Sequence, residues 1–457
     1  MRRLMIGVSG VRGVVGETLT PELLTRLGEA FGTLIDGGTV VVGRDTRTSG
    51  EMVKHAVLSG LLSAGCRIVD VGICATPSAA MMIPHLSADG GVVISASHNA
   101  AEWNALKFFR PDGVYLNDEQ GRQLLDIYYQ GDFHQVDWNG VREVTEDPHA
   151  VDRHVEQVLE HVDVRGLRRR KFAVALDCCN GAGVEVATRF LEQLNCRVIP
   201  LYCEPNGRFP RTPEPTREHV RALTRVARDN GADIGFALDP DADRVAFVSG
   251  EGKYVGEEYS LALCARYVLG HTPGPVVVNV STSRMVEDVA AEHGCPVHRV
   301  PVGEVNVADR MREIDAVIGG EGNGGIIFPA VHYGRDSIVG MGLILQYMLE
   351  RGRSLAELVD EVPAYTMVKS KVDLACDRLA FAGILRDLEA QAGTASVDRS
   401  DGLKLQWAGD GWVHLRASNT EPVVRIISEA RTPTRARRLV REYGAQIETA
   451  MRARIRA

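Results

Sequence analysis

Two short segments of this chain carry residue types that can do chemistry together. Ser95-Ala96-Ser97-His98-Asn99 follows the apolar run Gly91-Val92-Val93-Ile94, and Asp239-Pro240-Asp241-Ala242-Asp243-Arg244 follows Ile234-Gly235-Phe236-Ala237-Leu238. In an extended loop, positions i, i+2 and i+4 project to one side, so Asp239, Asp241 and Asp243 can turn three oxygens toward one small, hard cation. Pro240 stiffens the approach, and Arg244 sets a fixed positive charge beside it, which suits an anionic ligand. An EF-hand calcium loop also opens on alternating aspartates, but it needs Gly and Glu where this chain has Arg244 and Gly250. A solvated acidic turn is the plainer alternative; three aspartates directly behind a buried-looking run favour a metal. Ser97 on its own reads as a cap or turn residue. Its neighbourhood favours a nucleophile: Asn104-Ala105-Leu106-Lys107 brings one cation and Ser9-Gly10-Val11-Arg12-Gly13 another. A hydroxyl, a divalent cation and flanking positive charges are what phosphoryl transfer through serine requires.

The elements that must position these loops recur three times. A β-branched strand leads into a polar loop and a helix at Val40-Val41-Val42-Gly43-Arg44-Asp45, at Phe172-Ala173-Val174-Ala175-Leu176-Asp177 and at Val276-Val277-Val278-Asn279-Val280. Each helix is followed by a cysteine and a second strand, at Cys66, Cys196 and Cys295, and then by a third apolar run. Those third runs end at the Ser97 loop, at the Asp239 loop, and at Gly320-Glu321 after Ala316-Val317-Ile318-Gly319. Strands alternating with helices imply an α/β fold with mixed, largely parallel sheets and ligands gathered beyond the carboxyl ends of the strands. The last hundred residues differ. Thr366 to Leu374 alternates like a strand, a helix runs from about Asp377 to Gln391, and turn signals at Ser400-Asp401-Gly402 and Gly409-Asp410-Gly411 separate further strands before an Arg-rich helix. This predicts a C-terminal α+β domain with an antiparallel sheet. Its segment Arg416 to Pro422, with Arg425 after it, offers guanidinium forks, hydroxyls and backbone N–H groups to a phosphate. The expected division is 1–140, 141–250, 251–360 and 361–457, with the polar stretch Asp132 to Pro148 as the first connection.

Four motifs in this order resemble the α-D-phosphohexomutases, the superfamily of phosphoglucomutase, phosphomannomutase and phosphoglucosamine mutase. Ser95 to Asn99 looks like its phosphoserine loop and Asp239 to Arg244 like its metal loop. Gly320-Glu321-Gly322-Asn323-Gly324-Gly325 looks like its sugar-binding loop, and Arg416-Ala417-Ser418-Asn419-Thr420-Glu421-Pro422 like its phosphate-binding loop. The resemblance implies a phosphate carried on Ser97, with Mg²⁺ held by Asp239, Asp241, Asp243 and one phosphoryl oxygen. It further implies isomerisation between hexose 6-phosphate and hexose 1-phosphate through a bisphosphorylated sugar that turns over in the site. Arg12 and Lys107 are then candidates for charge stabilisation and proton handling, Lys107 as a base only if neighbouring cations lower its pKa, and His98 as support for the loop. Arg244, Gly303, Glu304, Glu321 and Asn323 fall to the sugar. Arg416, Ser418, Asn419, Thr420 and Arg425 fall to the phosphate that is not reacting, in a domain expected to move.

Two departures from the family pattern stand out. Ala100-Ala101 replaces a proline that many members have, and Gly324-Gly325 replaces Gly-His, so a histidine contact is missing unless His332 supplies it. The Gly-Asn-Gly-Gly form and the loop Val302-Gly303-Glu304-Val305-Asn306 resemble the archaeal-type phosphoglucosamine mutase branch, where Glu304 near the sugar C2 position would favour an ammonium. Phosphomannomutase or phosphoglucomutase activity is the alternative. A Mg²⁺-dependent sugar phosphatase using the same Ser97, and a regulatory phosphosugar-binding protein, are remoter readings.

The bulk properties fit an ordinary globular enzyme of several domains: 457 residues, 25% charged and 45% hydrophobic. A net charge of −8 argues against nucleic acid or anionic membrane as partner, so an anionic sugar must be met by local cations. No apolar stretch reaches the length of a membrane span, and Gly7 and Arg12 break the run after Met1-Arg2-Arg3 too early for a signal peptide. Nine cysteines without a C-x-x-C pair point to reduced thiols and a cytoplasmic location. His293, Cys295 and His298 lack a fourth partner and do not read as a zinc site.

Overall fold

The computed structural model describes residues 4–7, 10–418 and 423–456. The β-branched runs form strands, and each repeat is built on the same order. Thr39–Arg44 pairs in parallel with Arg67–Ile73 on one side and Gly90–Ile94 on the other, and Trp103–Phe109 lies antiparallel on Gly90–Ile94. Ala173–Asp177 likewise holds Arg197–Leu201 and Ile234–Leu238 in parallel, with Val245–Ser249 antiparallel on the latter. Val276–Asn279 holds Val297–Val300 and Ile318–Glu321, with Gly325–Ile327 antiparallel. The sheets are mixed and largely parallel, as the sequence implies, with one strand more per repeat than its apolar runs suggested. Every special loop is therefore tied at both ends by a strand pair, which holds its side chains more firmly than an open strand-to-helix connection would.

The first sheet is wider. Met5–Gly7 and Gly10–Val14 extend it beyond Trp103–Phe109, and Val144–Glu146 pairs with Arg67–Ile73 at the other edge. In that register Arg12 stands opposite Ala105 and Val11 opposite Leu106. Val11 and Leu106 enter the core, so Arg12, Ala105 and Lys107 share the opposite face, toward the metal loop.

One hydrophobic cluster runs through all three repeats. It joins Val41, Ile83 and Phe109 of the first to Val155, Phe190 and Phe236 of the second and to Leu261, Ile338 and Ile344 of the third. Helix Ser337–Arg351 is buried on every side from Ser337 to Met348, which makes it a central helix rather than an amphipathic surface one. A separate cluster, including Phe381, Leu405, Leu415, Ile426, Tyr443 and Ile447, fills the C-terminal unit. That unit is a five-stranded antiparallel sheet covered by helices Arg378–Ala390 and Pro433–Arg456. Its seam with the third repeat is polar. Lys369 Nζ pairs with Glu257 at 3.0 Å and Glu258 at 3.3 Å, Lys404 Nζ donates to Val280 O at 2.7 Å, and the Arg284 backbone N–H donates to Glu429 Oε1 at 3.0 Å. The nine cysteines are all free, Cys66 fully buried and Cys196 and Cys295 partly so. Among the described residues no helix is long and apolar enough to cross a membrane.

Helices Pro21–Leu34 and Gly50–Ser63 meet so closely that a Cβ on Gly60 would lie 2.0 Å from Thr25 O. Helix propensity alone favours Gly60→Ala by up to about 1 kcal/mol. The contact should reverse that sign and cost about 1 to 3 kcal/mol. Thermal unfolding checks it: a lower melting temperature is expected, and a higher one would show that the two helices can separate freely.

Candidate active site

Ser97 is held by a buried arginine. Arg47 Nη2 donates to Ser97 O and Asn99 O, both at 2.7 Å, and Nη1 to Ala100 O at 2.7 Å and Trp103 O at 2.9 Å. Its Nε donates to Asp45 Oδ2 at 3.1 Å, the same oxygen that accepts from Ser95 Oγ at 2.6 Å. Ser95 Oγ in turn accepts the Ser97 backbone N–H at 3.0 Å. This network holds Ser97 in the left-handed region at φ 47°, a strained setting for a non-glycine residue. The loop therefore needs no proline at 100 or 101; Arg47 fixes it from below.

The Ser97 hydroxyl donates to Asp239 Oδ2 at 2.7 Å, so the expected nucleophile and the acidic loop do meet. Asp239, Asp241 and Asp243 are buried and offer oxygens within 4.8 Å of one another. Ala242, between them, is also left-handed at φ 56°. Asp241 Oδ2 accepts from Lys107 Nζ and Thr76 Oγ1, each at 2.5 Å, and Asp243 Oδ2 accepts from Arg335 Nη2 at 2.6 Å. Asp241 Oδ1 and Asp243 Oδ1 are buried without a hydrogen-bond partner. Burial, then Asp243 and Asp241, push the Asp239 carboxyl well above its ordinary pKa. Crowded carboxylates with unpartnered buried oxygens fit a small, hard divalent cation.

Lys107 does not meet the condition for a base. Burial works against its charge, but Asp241, Tyr115 and Asp243 outweigh it and raise its pKa, so it is a fixed cation. Arg12 Nη1 donates to Asn99 Oδ1 at 2.8 Å; burial, and then the positive charge of Arg244, lower the pKa of Arg12. Burial and the nearby Arg244, Arg12 and Arg335 hold His98 well below its ordinary pKa; its Nδ1 stands 3.4 Å from Ser97 Oγ as a neutral ring. Arg244 lies 3.6 Å from both Glu214 and Asp243.

Glu321, at the end of strand Ile318–Glu321, is gripped on both oxygens. Oε1 accepts from Asn279 Nδ2 at 2.8 Å and from the Gly303 backbone N–H at 3.3 Å, and Oε2 accepts from Arg335 Nη1 at 2.8 Å and Asn323 Nδ2 at 3.4 Å. Glu304, at the start of helix Glu304–Glu313, packs against Arg335. Its Oε1 accepts the Arg335 backbone N–H at 2.9 Å and its Oε2 accepts Arg335 Nε at 2.8 Å, so the carboxylate is anchored to Arg335 through both oxygens. His332 does not replace the missing loop histidine. Its Nδ1 accepts from the Gly334 N–H at 3.0 Å and its Nε2 stands 3.0 Å from Asp336 Oδ2, the oxygen that also meets His154 Nε2 at 2.7 Å. With His154 Nδ1 on Ser78 Oγ at 2.7 Å, this second His-His-Asp cluster is a satisfied hydrogen-bond network. Arg335, Arg47, Asp45 and Thr76 had no motif to mark them; each lies in a segment whose neighbours in space, not in sequence, define its part.

In the C-terminal sheet Arg416 faces Arg425, and Arg425 faces Lys371, across three adjoining strands. Arg416 is buried 3.3 Å from Asp401 Oδ2, and its pKa is lowered by burial and by Arg425. Cations in register repel one another, an arrangement that an anion relieves. Lys371 was not foreseen. Ser418 is buried at the end of this strand, while Asn419 and Thr420 lie outside the described residues.

Four family models match in chain order: phosphoglucomutase/phosphomannomutase alpha/beta/alpha domain I over 3–135, domain II over 152–252, domain III over 257–365, and the C-terminal domain over 368–443. A probable phosphoglucosamine mutase of Methanopyrus kandleri is 41% identical over 96% of each chain. A phosphoglucomutase/phosphomannomutase of Thermococcus kodakarensis is 39% identical over 95% of this chain and 96% of its own. The crystal structure of a phosphoglucomutase/phosphomannomutase family protein from Burkholderia thailandensis superposes with a TM-score of 0.84 at 26% identity, over 98% of this chain and 97% of that one.

Beneath the Glu321 loop lies a buried carboxyl with a pH signature. A Cβ on Gly322 would fall 1.9 Å from Glu258 Oε2, which accepts the Ser283 N–H at 3.0 Å. Burial, opposed by Lys369, pushes the Glu258 pKa up from 4.5 to about 7. The folded state thus keeps a proton that the unfolded state has lost between those values, and stability should fall as pH rises through that window. Glu258→Gln removes the titration, so its melting temperature should decline less than the wild type's from pH 4.5 to 7. Parallel curves would mean that Glu258 ionises freely.

Proposed function

The chain belongs to the phosphoglucomutase/phosphomannomutase family, whose members are isomerases moving a phosphoryl group within a hexose phosphate, and from that premise we propose that its substrate is a hexosamine phosphate worked on by Ser97. The observation that carries the assignment of roles is the 2.7 Å contact between Ser97 Oγ and Asp239 Oδ2, which puts a strained hydroxyl against a carboxylate cluster. The amino-sugar reading is supported by the Gly322-Asn323-Gly324-Gly325 loop and by the relative of that name at 41% identity. Glucose or mannose phosphate is the second reading, favoured by the 39% identical relative.

Asp239, Asp241 and Asp243, with a phosphoryl oxygen on Ser97, would hold Mg²⁺, the hard cation suited to an all-oxygen set. The ion supplies neutralisation of phosphoryl charge. Lys107 and Arg12 add fixed positive charge on the same sheet face, and His98 supports the Ser97 loop as a neutral ring. The phosphoryl group passes between Ser97 Oγ and a sugar oxygen, one P–O bond breaking as the other forms and the attacking hydroxyl's proton ending on the departing oxygen, so the protein's work is positioning and charge stabilisation. Glu321 and Asn323 meet hydroxyls common to both sugar orientations, with Arg244 and Gly303 beside them. Arg416, Ser418, Asn419, Thr420 and Arg425, joined by Lys371, hold the distal phosphate. In this reading the units near 1–140, 141–250, 251–360 and 361–457 carry phosphoserine, metal, sugar and phosphate in turn, and the polar seam of the last lets it open for the bisphosphate to turn.

Incubation with glucosamine, glucose and mannose 6-phosphates and a trace of hexose bisphosphate tests the reading. The highest kcat/KM should fall on glucosamine 6-phosphate, and release of inorganic phosphate in place of isomer would turn the assignment to a phosphatase. Ser97→Ala should abolish turnover with the fold intact, intact-mass measurement showing one phosphate on the wild type and none on the variant. Asp241→Asn should weaken Mg²⁺ by about tenfold or more, read as a higher Mg²⁺ concentration for half-maximal rate. Full activity in chelator would remove the metal from the mechanism.

A further inference from the structure

Arg335 stands where three segments, one from the second repeat and two from the third, come together. Its Nη2 donates to Asp243 Oδ2 at 2.6 Å, its Nη1 to Glu321 Oε2 at 2.8 Å, and its Nε to Glu304 Oε2 at 2.8 Å. One planar fork thereby spans the metal loop, the sugar loop and the start of helix Glu304–Glu313, a geometry that a lysine ammonium cannot reproduce. Room for it comes from Gly325, where a Cβ would lie 2.2 Å from Arg335 Cδ. The loop thus gives up a side chain at 325, and the Arg335 stem fills that space.

The backbone beside Arg335 is fixed from the other side. Asp336 Oδ2 meets His154 Nε2 and His332 Nε2, while its Oδ1 accepts the Ile338 N–H at 2.7 Å and caps helix Ser337–Arg351. Ser337 donates to Ala242 O from its backbone N–H at 3.2 Å and from Oγ at 2.6 Å. The segment carrying Arg335 is consequently fastened to the metal loop at Ala242 as well as at Asp243.

We propose that Arg335 is a positioning residue that takes the place of a side chain at 325 and locks Glu321 to Asp243, so that the sugar loop and the metal loop hold one fixed separation. This rests on the reading in which Glu321 meets the sugar and Asp243 the metal. Arg335 acts through those two carboxylates and not on the reacting atoms. Without its fork, two buried like charges lose their shared counter-charge and Glu321 loses the one charged donor among the four that set its orientation.

The test uses Arg335→Met and Arg335→Lys in the full chain; the lysine variant keeps stem and charge and carries the comparison if the methionine variant does not fold. In hydrogen exchange, amides of 320–325 and 239–245 should quicken together by about tenfold or more in either variant, while those of helix Glu257–His271 stay at the wild-type rate. In turnover, the KM for hexose 6-phosphate should rise and kcat should fall, together by about 100-fold in kcat/KM. The cost should be largely shared with Glu321→Gln, so that the double variant is little worse than the worse single one. Exchange quickening in only one loop, wild-type kinetics in Arg335→Lys, or losses that multiply fully in the double variant would overturn the proposal. A wild type that does not isomerise hexose phosphates defeats the functional reading instead, and the exchange measurement still decides whether Arg335 couples the loops.

Discussion

Three carboxylates brought within 4.8 Å of one another in a buried cleft repel, and most of what surrounds them answers that repulsion. Lys107 and Thr76 reach Asp241 from the first repeat, and Arg335 reaches Asp243 from the third. Burial opposes ionisation of Asp241, yet Lys107 outweighs it and holds that carboxyl well below its ordinary pKa. Asp239, with no such cation on its oxygens, is the one pushed upward. The second repeat gives its own loop Arg244, 3.6 Å from Asp243, while the hydrogen-bonded counter-charges come from its neighbours. Close packing of the three repeats therefore has an electrostatic part as well as an apolar one.

The parts legible in the sequence are those that local pattern determines. Val40 to Asp45 and its two counterparts read as strands because β-branched runs bounded by polar turns have few other folds, and Asp239, Asp241 and Asp243 read as a cluster because alternation alone puts them on one side. The strand Val245–Ser249 was not foreseen, because its place is set by antiparallel pairing with Ile234–Leu238 and not by a local pattern. Arg47 escaped because its four carbonyl partners sit about fifty residues away, and a buried arginine looks like a surface one in sequence. His332 was misplaced for the same reason: its chemistry fits a sugar, but Asp336 and the Gly334 N–H, only a few residues away, engage both its ring nitrogens in space.

The C-terminal unit obeys a different rule. Its apolar residues close on themselves, and it meets the third repeat through Lys369, Lys404, His414 and Glu429, whose partners are carboxylates, carbonyls, a hydroxyl and a backbone N–H. Contacts of this kind can be exchanged for water at small net cost, unlike the apolar seam among the first three repeats. Stiffness and freedom are thus apportioned along the chain by the polarity of successive interfaces.

The shared core has a consequence for the chain as it is made. Val41, Ile83 and Phe109 of the first repeat belong to a cluster that also needs Phe190 of the second and Ile344 of the third. During synthesis these residues emerge first and stay uncovered at least until the second repeat's helix Ala150–Leu159, which packs on helix Thr76–His85, follows, a wait of seconds at roughly 5 to 20 residues per second. The nascent first repeat carries a sticky face throughout that interval. Its opposite face, closed early by helices Pro21–Leu34 and Gly50–Ser63 around Phe31, gives it a half-finished shelter from which the rest can be assembled.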